Sequence, residues 1–283
     1  MKELDVKLEI IGVKNSITGE GPIWNSSENC LYYLDITGKK LHRVDWSTKQ
    51  TVTKELPQMA GCISITNDGR LIYAMEDGIY NDKFELMHKK EPIPGERFND
   101  GKSAPNGDFY AGTIKRDGGG KFYRLGKNGK LETLLDDVKI SNGIDWSIDE
   151  KTMYYCDTPT QEIVAYDFDR QSGSISNKRT VITIPEKMGG PDGLCIDIEG
   201  YLWIALWGGG MVVRANPHTG ELLEYFKLPA NDVTCPAFVG EKLDELVITT
   251  AAINSDIKKE PFAGCTFCIK TNTKGRQPYK FCG

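Results

Sequence analysis

At 283 residues, with 39% hydrophobic and 27% charged side chains, the chain has the composition of an ordinary globule with a large core. A net charge of −5, with basic residues scattered among acidic ones, argues against a nucleic-acid partner, which selects a basic surface. No run approaches the apolar length that crosses a bilayer, and the opening MKELDVKLEIIGV alternates charged and apolar residues instead of forming a secretory leader. No membrane partner is therefore expected, and the expected location is the cytoplasm.

Read in chain order, the sequence repeats one pattern: an apolar strand, a polar turn, then an aromatic-rich strand. A first strand over residues 8–12 precedes GPIWNSSENCLYYLD, which is followed by a hairpin of the type KLHRVDW. Next come CISITNDGRLIYAM, then KSAPNGDFYAGT with the hairpin KFYRLGKNGKLETL, then GIDWSIDEKTMYYCD with EIVAYDFDRQSGSI. GLCIDIEGYLWIAL with VVRANPHTGELLEYF and finally AFVGEKLDELVITT complete the series. The starts lie about 40 to 50 residues apart, the period of a four-stranded propeller blade. Six copies predict an all-β, six-bladed β-propeller as a single domain over 1–283, with little helix. Residues 8–12 are expected to close the ring against residues 266–270, leaving only short protected edges. The alternative, a two-sheet sandwich or a pair of small β domains, fits the regular spacing less well.

Eight cysteines stand singly in apolar runs, which reads as buried free thiols. Cys265 and Cys268 form the one close pair, and on a strand their side chains point to opposite faces, so they are read as structural and not as a zinc site.

In a propeller, each blade begins with the strand nearest the axis. The polar residues at these starts are Glu20 in GEGPIW, Arg97, Asn99 and Asp100 in RFNDGK, Asn142 in SNGIDW and Asp192 in GGPDGL, with Glu20, Asp100, Asn142 and Asp192 each beside glycine or proline. SNG and PDG are common turn tripeptides, and their weight comes from recurring in phase with the blades. Two carboxylates converging in a narrow channel repel unless a cation lies between them. Glu20, Asn142 and Asp192 offer hard oxygen donors, so one divalent metal ion is expected: calcium first, with magnesium, manganese or zinc as alternatives. His42 and His218 fall in hairpins expected at the surface, and His88 lies at no blade start. There is no GxSxG nucleophile elbow, P-loop ending or HExxH zinc motif. The glycine runs at residues 118–120 and 208–210 read as loop flexibility, the first as part of a lid.

At these same positions the sequence resembles the senescence-marker-protein/gluconolactonase/luciferin-regenerating family. The likeness runs in order through GEGPIW, RFNDGK, the GT at Gly112, SNGIDWS, YYCDT, YDFD, PDGLCIDIEGYLW and LDELVITTA, ending in Gly264, Phe267, Gly275 and Phe281 of the closing strands. The resemblance implies a six-bladed propeller holding one divalent cation on Glu20, Asn142 and Asp192, with Arg97 and Asn99 contacting substrate. It also implies hydrolysis of sugar lactones, relatives acting on other lactones or organophosphates. The segment IKRDGGGKFYRLG is shorter than the lid-bearing stretch common in the family, so no lid residue carries over, and residues 55–60 supply no identifiable site residue.

The expected activity is thus a metal-dependent lactonase, a carboxylic ester hydrolase with a small sugar lactone as partner. The metal polarises the carbonyl, and Asp192 is the catalytic residue that takes a proton from water, with Glu20 the alternative acceptor. The rival expectations are a non-catalytic calcium-binding regulatory protein and a metal-dependent organophosphate or other ester hydrolase.

Overall fold

The computed structural model describes residues 1–283 and shows six sheets, five of four antiparallel strands and one with a fifth strand added, a β-propeller. Blade one consists of Gly19–Asn25, Cys30–Asp35, Lys40–Asp45 and Thr51–Glu55, ordered from the axis outward. The innermost strands of blades two to six are Ala60–Ile65, Arg97–Ser103, Ser141–Trp146, Gly190–Ile196 and Asp232–Val239, and each packs beside its neighbours around the channel. Two short 3₁₀ turns are the only helical elements, Thr158–Thr160 and Glu186–Met188, and no helix is long and apolar enough to cross a membrane.

Burial explains why these segments become strands. Cys30–Asp35 is buried at every position, because the second strand of a blade is covered by adjacent blades on both faces. The outer strand Ile175–Thr183 is mostly exposed and correspondingly polar. The cores lie between neighbouring blades: Leu34 packs with Tyr73 between blades one and two, and Tyr110 meets Trp146 edge-on at 5.4 Å between blades three and four.

The ring closes as expected. Glu9–Ile11 forms the outer strand of blade six and pairs antiparallel with Thr266–Lys270. One further pairing has no counterpart in the sequence reading: Lys2–Glu3 adds a fifth, parallel strand to the edge of blade five. The pattern of closing residues also needs correction. Phe267 lies in a strand, but Gly264 does not, and Gly275 and Phe281 belong to an irregular tail. That tail runs beneath the channel, with Ile198 N–H donating to the Lys274 carbonyl at 2.8 Å and Phe281 N–H to the Ile65 carbonyl at 2.9 Å. Both anchors follow or end inner strands, so the tail covers the mouth opposite the blade starts. Arg276 reaches from it to Asp145 inside the channel.

His42 is the second correction. It lies in the third strand of its blade yet is 2% exposed, stacked 4.7 Å from Tyr33 and bonded through Nδ1 to Thr53 Oγ1 at 2.9 Å. The third strand here is covered by the adjoining blade instead of facing water. Burial pushes the His42 imidazole down to about 4. The cysteines are free, and all except Cys282 are buried.

Candidate active site

Each of the six inner strands carries a bulge at the same height. In blade one the register passes from Glu20 opposite Leu34 to Ile23 opposite Tyr32, so Gly21 and Pro22 together face the single residue Tyr33. The equivalent breaks fall at Gly61, at Asn99 and Asp100, at Gly143, at Asp192 and Gly193, and at Thr234. A bulge inserts one residue, bends the strand and re-aims neighbouring side chains. Here six aligned bulges turn polar residues toward the channel. Glycine is required where the backbones close in: a Cβ on Gly143 would lie 2.6 Å from the Asp192 carbonyl oxygen. Blade two contributes no side chain at this level because its bulge residue, Gly61, sits directly against the Phe98 carbonyl. Blade six contributes Thr234, whose hydroxyl is spent on the Gly19 carbonyl at 2.6 Å.

Glu20, Arg97, Asn99, Asn142 and Asp192 all line one cavity of about 330 Å³, with Ile36, Ile114 and Trp207 among its apolar walls. Asp100 does not line this cavity. It faces a smaller one of about 70 Å³ deeper in the channel, beside Lys102 and Asp145. Lys102 Nζ donates to Asp145 Oδ2 at 2.9 Å and to the Leu194 carbonyl at 3.1 Å.

A relay of hydrogen bonds orients the amides. Arg97 Nη1 donates to Asn99 Oδ1 at 2.8 Å, and Asn99 Nδ2 donates to Asn142 Oδ1 at 2.8 Å and to the Ser141 carbonyl at 2.9 Å. Asn142 Nδ2 donates to Thr158 Oγ1 at 2.8 Å, which in turn donates to the Pro191 carbonyl at 2.8 Å. Asn142 Oδ1 therefore keeps one lone pair free, with its orientation fixed.

The carboxyls are under strong electrostatic pressure. Glu20 is 7% exposed and Asp192 4%. Burial, with the Asp100 charge added, pushes Glu20 up to about 8, against pull from the Gly21 N–H and Arg97. Burial and the neighbouring Glu20 and Asp100 charges raise Asp192 well above the ordinary carboxylate range. Asp100 is pushed up to about 6 by burial, with Lys102 opposing. Asp192 Oδ1 has no hydrogen-bond partner although it is fully buried. An orphaned, buried carboxylate oxygen beside a second carboxylate and an amide oxygen is a donor set that fits a hard divalent cation. No group of three or more His, Cys, Asp and Glu side chains is arranged to hold a metal, so such a site has to draw on Asn142.

Among the cavity residues that escaped the sequence reading are Arg116, Trp207 and Asn254. Arg116 lies in the turn that follows Phe109–Ile114, in the stretch that carried no transferable lid residue. Its only signal in the sequence is position, just beyond a strand that ends at the channel mouth.

Comparison with known proteins identifies the family. The family model described as SMP-30/Gluconolactonase/LRE-like region matches residues 18–252. Regucalcin of Danio rerio is 36% identical over 293 residues, covering 98% of this chain and 99% of that protein. The putative sugar lactone lactonase YvrE of Bacillus subtilis is 38% identical over 280 residues, covering 95% and 96%. The crystal structure of a calcium-binding protein, regucalcin, from Agrobacterium tumefaciens superimposes with a TM-score of 0.93 at 27% identity, covering 99% of each chain. With the fold, the full-length likeness and the matched region in agreement, this chain belongs to the SMP-30/gluconolactonase/LRE-like family.

Proposed function

We propose that the protein is a divalent-cation-dependent lactonase that opens small hydroxylated lactones, sugar lactones foremost. The observation that carries this reading is the buried, unpartnered Asp192 Oδ1 in a cavity shared with Glu20, Asn142, Arg97 and Asn99. Family membership and the YvrE relative's description as a putative sugar lactone lactonase support the reaction class.

In this scheme Glu20, Asn142 and Asp192 hold the cation. When bound, the cation supplies a Lewis acid that polarises the lactone carbonyl. Asp192 accepts the proton of the attacking water as the water oxygen bonds to the carbonyl carbon. The ring carbon–oxygen bond then breaks, the departing ring oxygen takes up a proton, and the product is a hydroxy acid. Arg97 presents its unused guanidinium donors to substrate oxygens. Asn99 touches the substrate through whatever capacity its three bonds leave and fixes Asn142. Glu20, Asn142 and Asp192 are themselves buried, which strengthens each of these interactions.

A second reading, calcium binding without turnover, is favoured by the Agrobacterium relative's description as a calcium-binding protein. The deciding experiment strips the protein with chelator and restores calcium, magnesium, manganese or zinc singly against a panel of lactones and phosphoesters, following acid release. Cation-dependent lactone turnover is expected. Tight binding of one cation with no turnover of any ester would replace the enzyme by the binding protein, and turnover confined to phosphoesters would move the activity to that class.

A further inference from the structure

Nine arginines stand in the chain, and seven of them form ion pairs with carboxylates: Arg43, Arg70, Arg124, Arg170, Arg179, Arg214 and Arg276. The two without an ion pair, Arg97 and Arg116, line the same cavity. From this geometry we propose that Arg97 and Arg116 form an anion-binding subsite, and that the favoured lactones carry a second, anionic group, a carboxylate or a phosphate, on a ring substituent away from the reacting carbonyl. This rests on the lactonase reading and specifies its substrate class.

The donors are available. Arg97 commits one nitrogen, Nη1, to the Phe98 carbonyl and to Asn99 Oδ1, both at 2.8 Å, leaving Nε and Nη2 without protein partners. Arg116 forms no side-chain hydrogen bond or ion pair and stands exposed in the turn closed by Gly118 N–H donating to the Lys115 carbonyl at 2.8 Å. Its neighbour Lys115 is already neutralised by Asp117 at 2.6 Å. The two guanidiniums feel one another: burial pushes Arg97 down to about 10, Glu20 and Glu76 oppose this from a distance, and Arg116 adds to it. Two like charges facing one cavity are relieved by an anion between them, and paired guanidinium forks match carboxylate and phosphate oxygens. Glu20, Asn142 and Asp192 line the same cavity and take the carbonyl end, so a lactone with a charged substituent engages both groups at once.

The test compares kcat/KM for three lactones sharing one sugar ring, with a terminal hydroxymethyl, carboxylate or phosphomethyl group. At least one charged lactone is expected to exceed the neutral one by roughly tenfold, and which one does identifies the anion. Arg116→Gln is expected to lower the charged-to-neutral ratio roughly five- to tenfold, whereas Lys178→Gln, the same charge change on an exposed outer strand, leaves it unaltered. Equal rates for all three lactones, or a ratio unmoved by Arg116→Gln, would overturn the subsite. Calorimetric binding of gluconate, glucarate and 6-phosphogluconate, which have no ring to open, separates the two claims. If no lactone is hydrolysed, the lactonase reading falls, but tighter glucarate or 6-phosphogluconate binding that Arg116→Gln abolishes sustains the subsite, and equal binding of all three ends it.

Discussion

Asn99 Nδ2 donates to Asn142 Oδ1 at 2.8 Å across the boundary between blades three and four. That bond, with the one from Asn142 Nδ2 to Thr158 Oγ1, sets which end of the Asn142 amide faces the cavity, and Asn99 is itself held by Arg97. Replacing Asn99 with Ala removes one of the two bonds that hold the amide oxygen toward a cation. Loss of such a supporting bond costs roughly 10- to 100-fold in metal affinity. Calcium titration of Asn99→Ala is expected to show a loss in that range with the fold unchanged by circular dichroism; undiminished affinity would remove Asn99 from the support of the site.

Asp192→Asn separates function from stability. The substitution removes one of the mutually repelling carboxylates and supplies an NH₂ group that can donate to Glu20. Activity is expected to fall at least about 100-fold with loss of the proton acceptor. The melting temperature of the cation-free protein is expected to rise by roughly 2–4 °C. A melt showing a fall in both would place Asp192 in the fold's support instead.

Acidity sets cation binding. In the cation-free fold Glu20 is raised from 4.5 to about 8, so it holds its proton more tightly than the unfolded chain does. The stability this contributes is complete below pH 4.5 and disappears as pH rises through about 8. A cation must displace that proton, so its affinity is expected to climb over the same window, with protons released on binding. Calorimetry in buffers of different ionisation enthalpy measures the release directly. Affinity flat across the window, with no proton released, would contradict the assignment of Glu20 as a ligand.

Much of this was legible in the residues, and the misses have identifiable causes. The blade repeat shows because two-faced burial imposes apolar runs such as CLYYLD between turn residues. Glu20, Asn142 and Asp192 stood out because each lies beside glycine or proline at a blade start. What brings them together, the ring of bulges, is a property of register: a single added residue in Gly190–Ile196 leaves no mark on composition or periodicity. His42 was misplaced because hairpin grammar says nothing about which neighbouring blade covers the third strand. Arg116 was missed because it belongs to an exposed turn, where charge is expected anyway.

Lys90 and Glu96 make a different kind of prediction, on stability alone. Their side chains are 2% and 0% exposed, Nζ lies 2.6 Å from Oε2, and Thr113 Oγ1 donates to the other Glu96 oxygen at 2.6 Å. Lys90→Met leaves a buried carboxylate without its partner and is expected to cost about 3–5 kcal/mol in denaturant unfolding. Lys90→Met combined with Glu96→Leu is expected to recover most of that loss. If the double variant were as unstable as the single one, packing and not charge would be the cause.

The joining of Glu9–Ile11 to Thr266–Lys270 also orders events at the ribosome. The strand that completes blade six is made first and has no partner until the stretch that supplies the rest of the blade has emerged. At roughly 5–20 residues per second, the nascent chain carries that apolar segment unpaired for many seconds while blades one to five assemble.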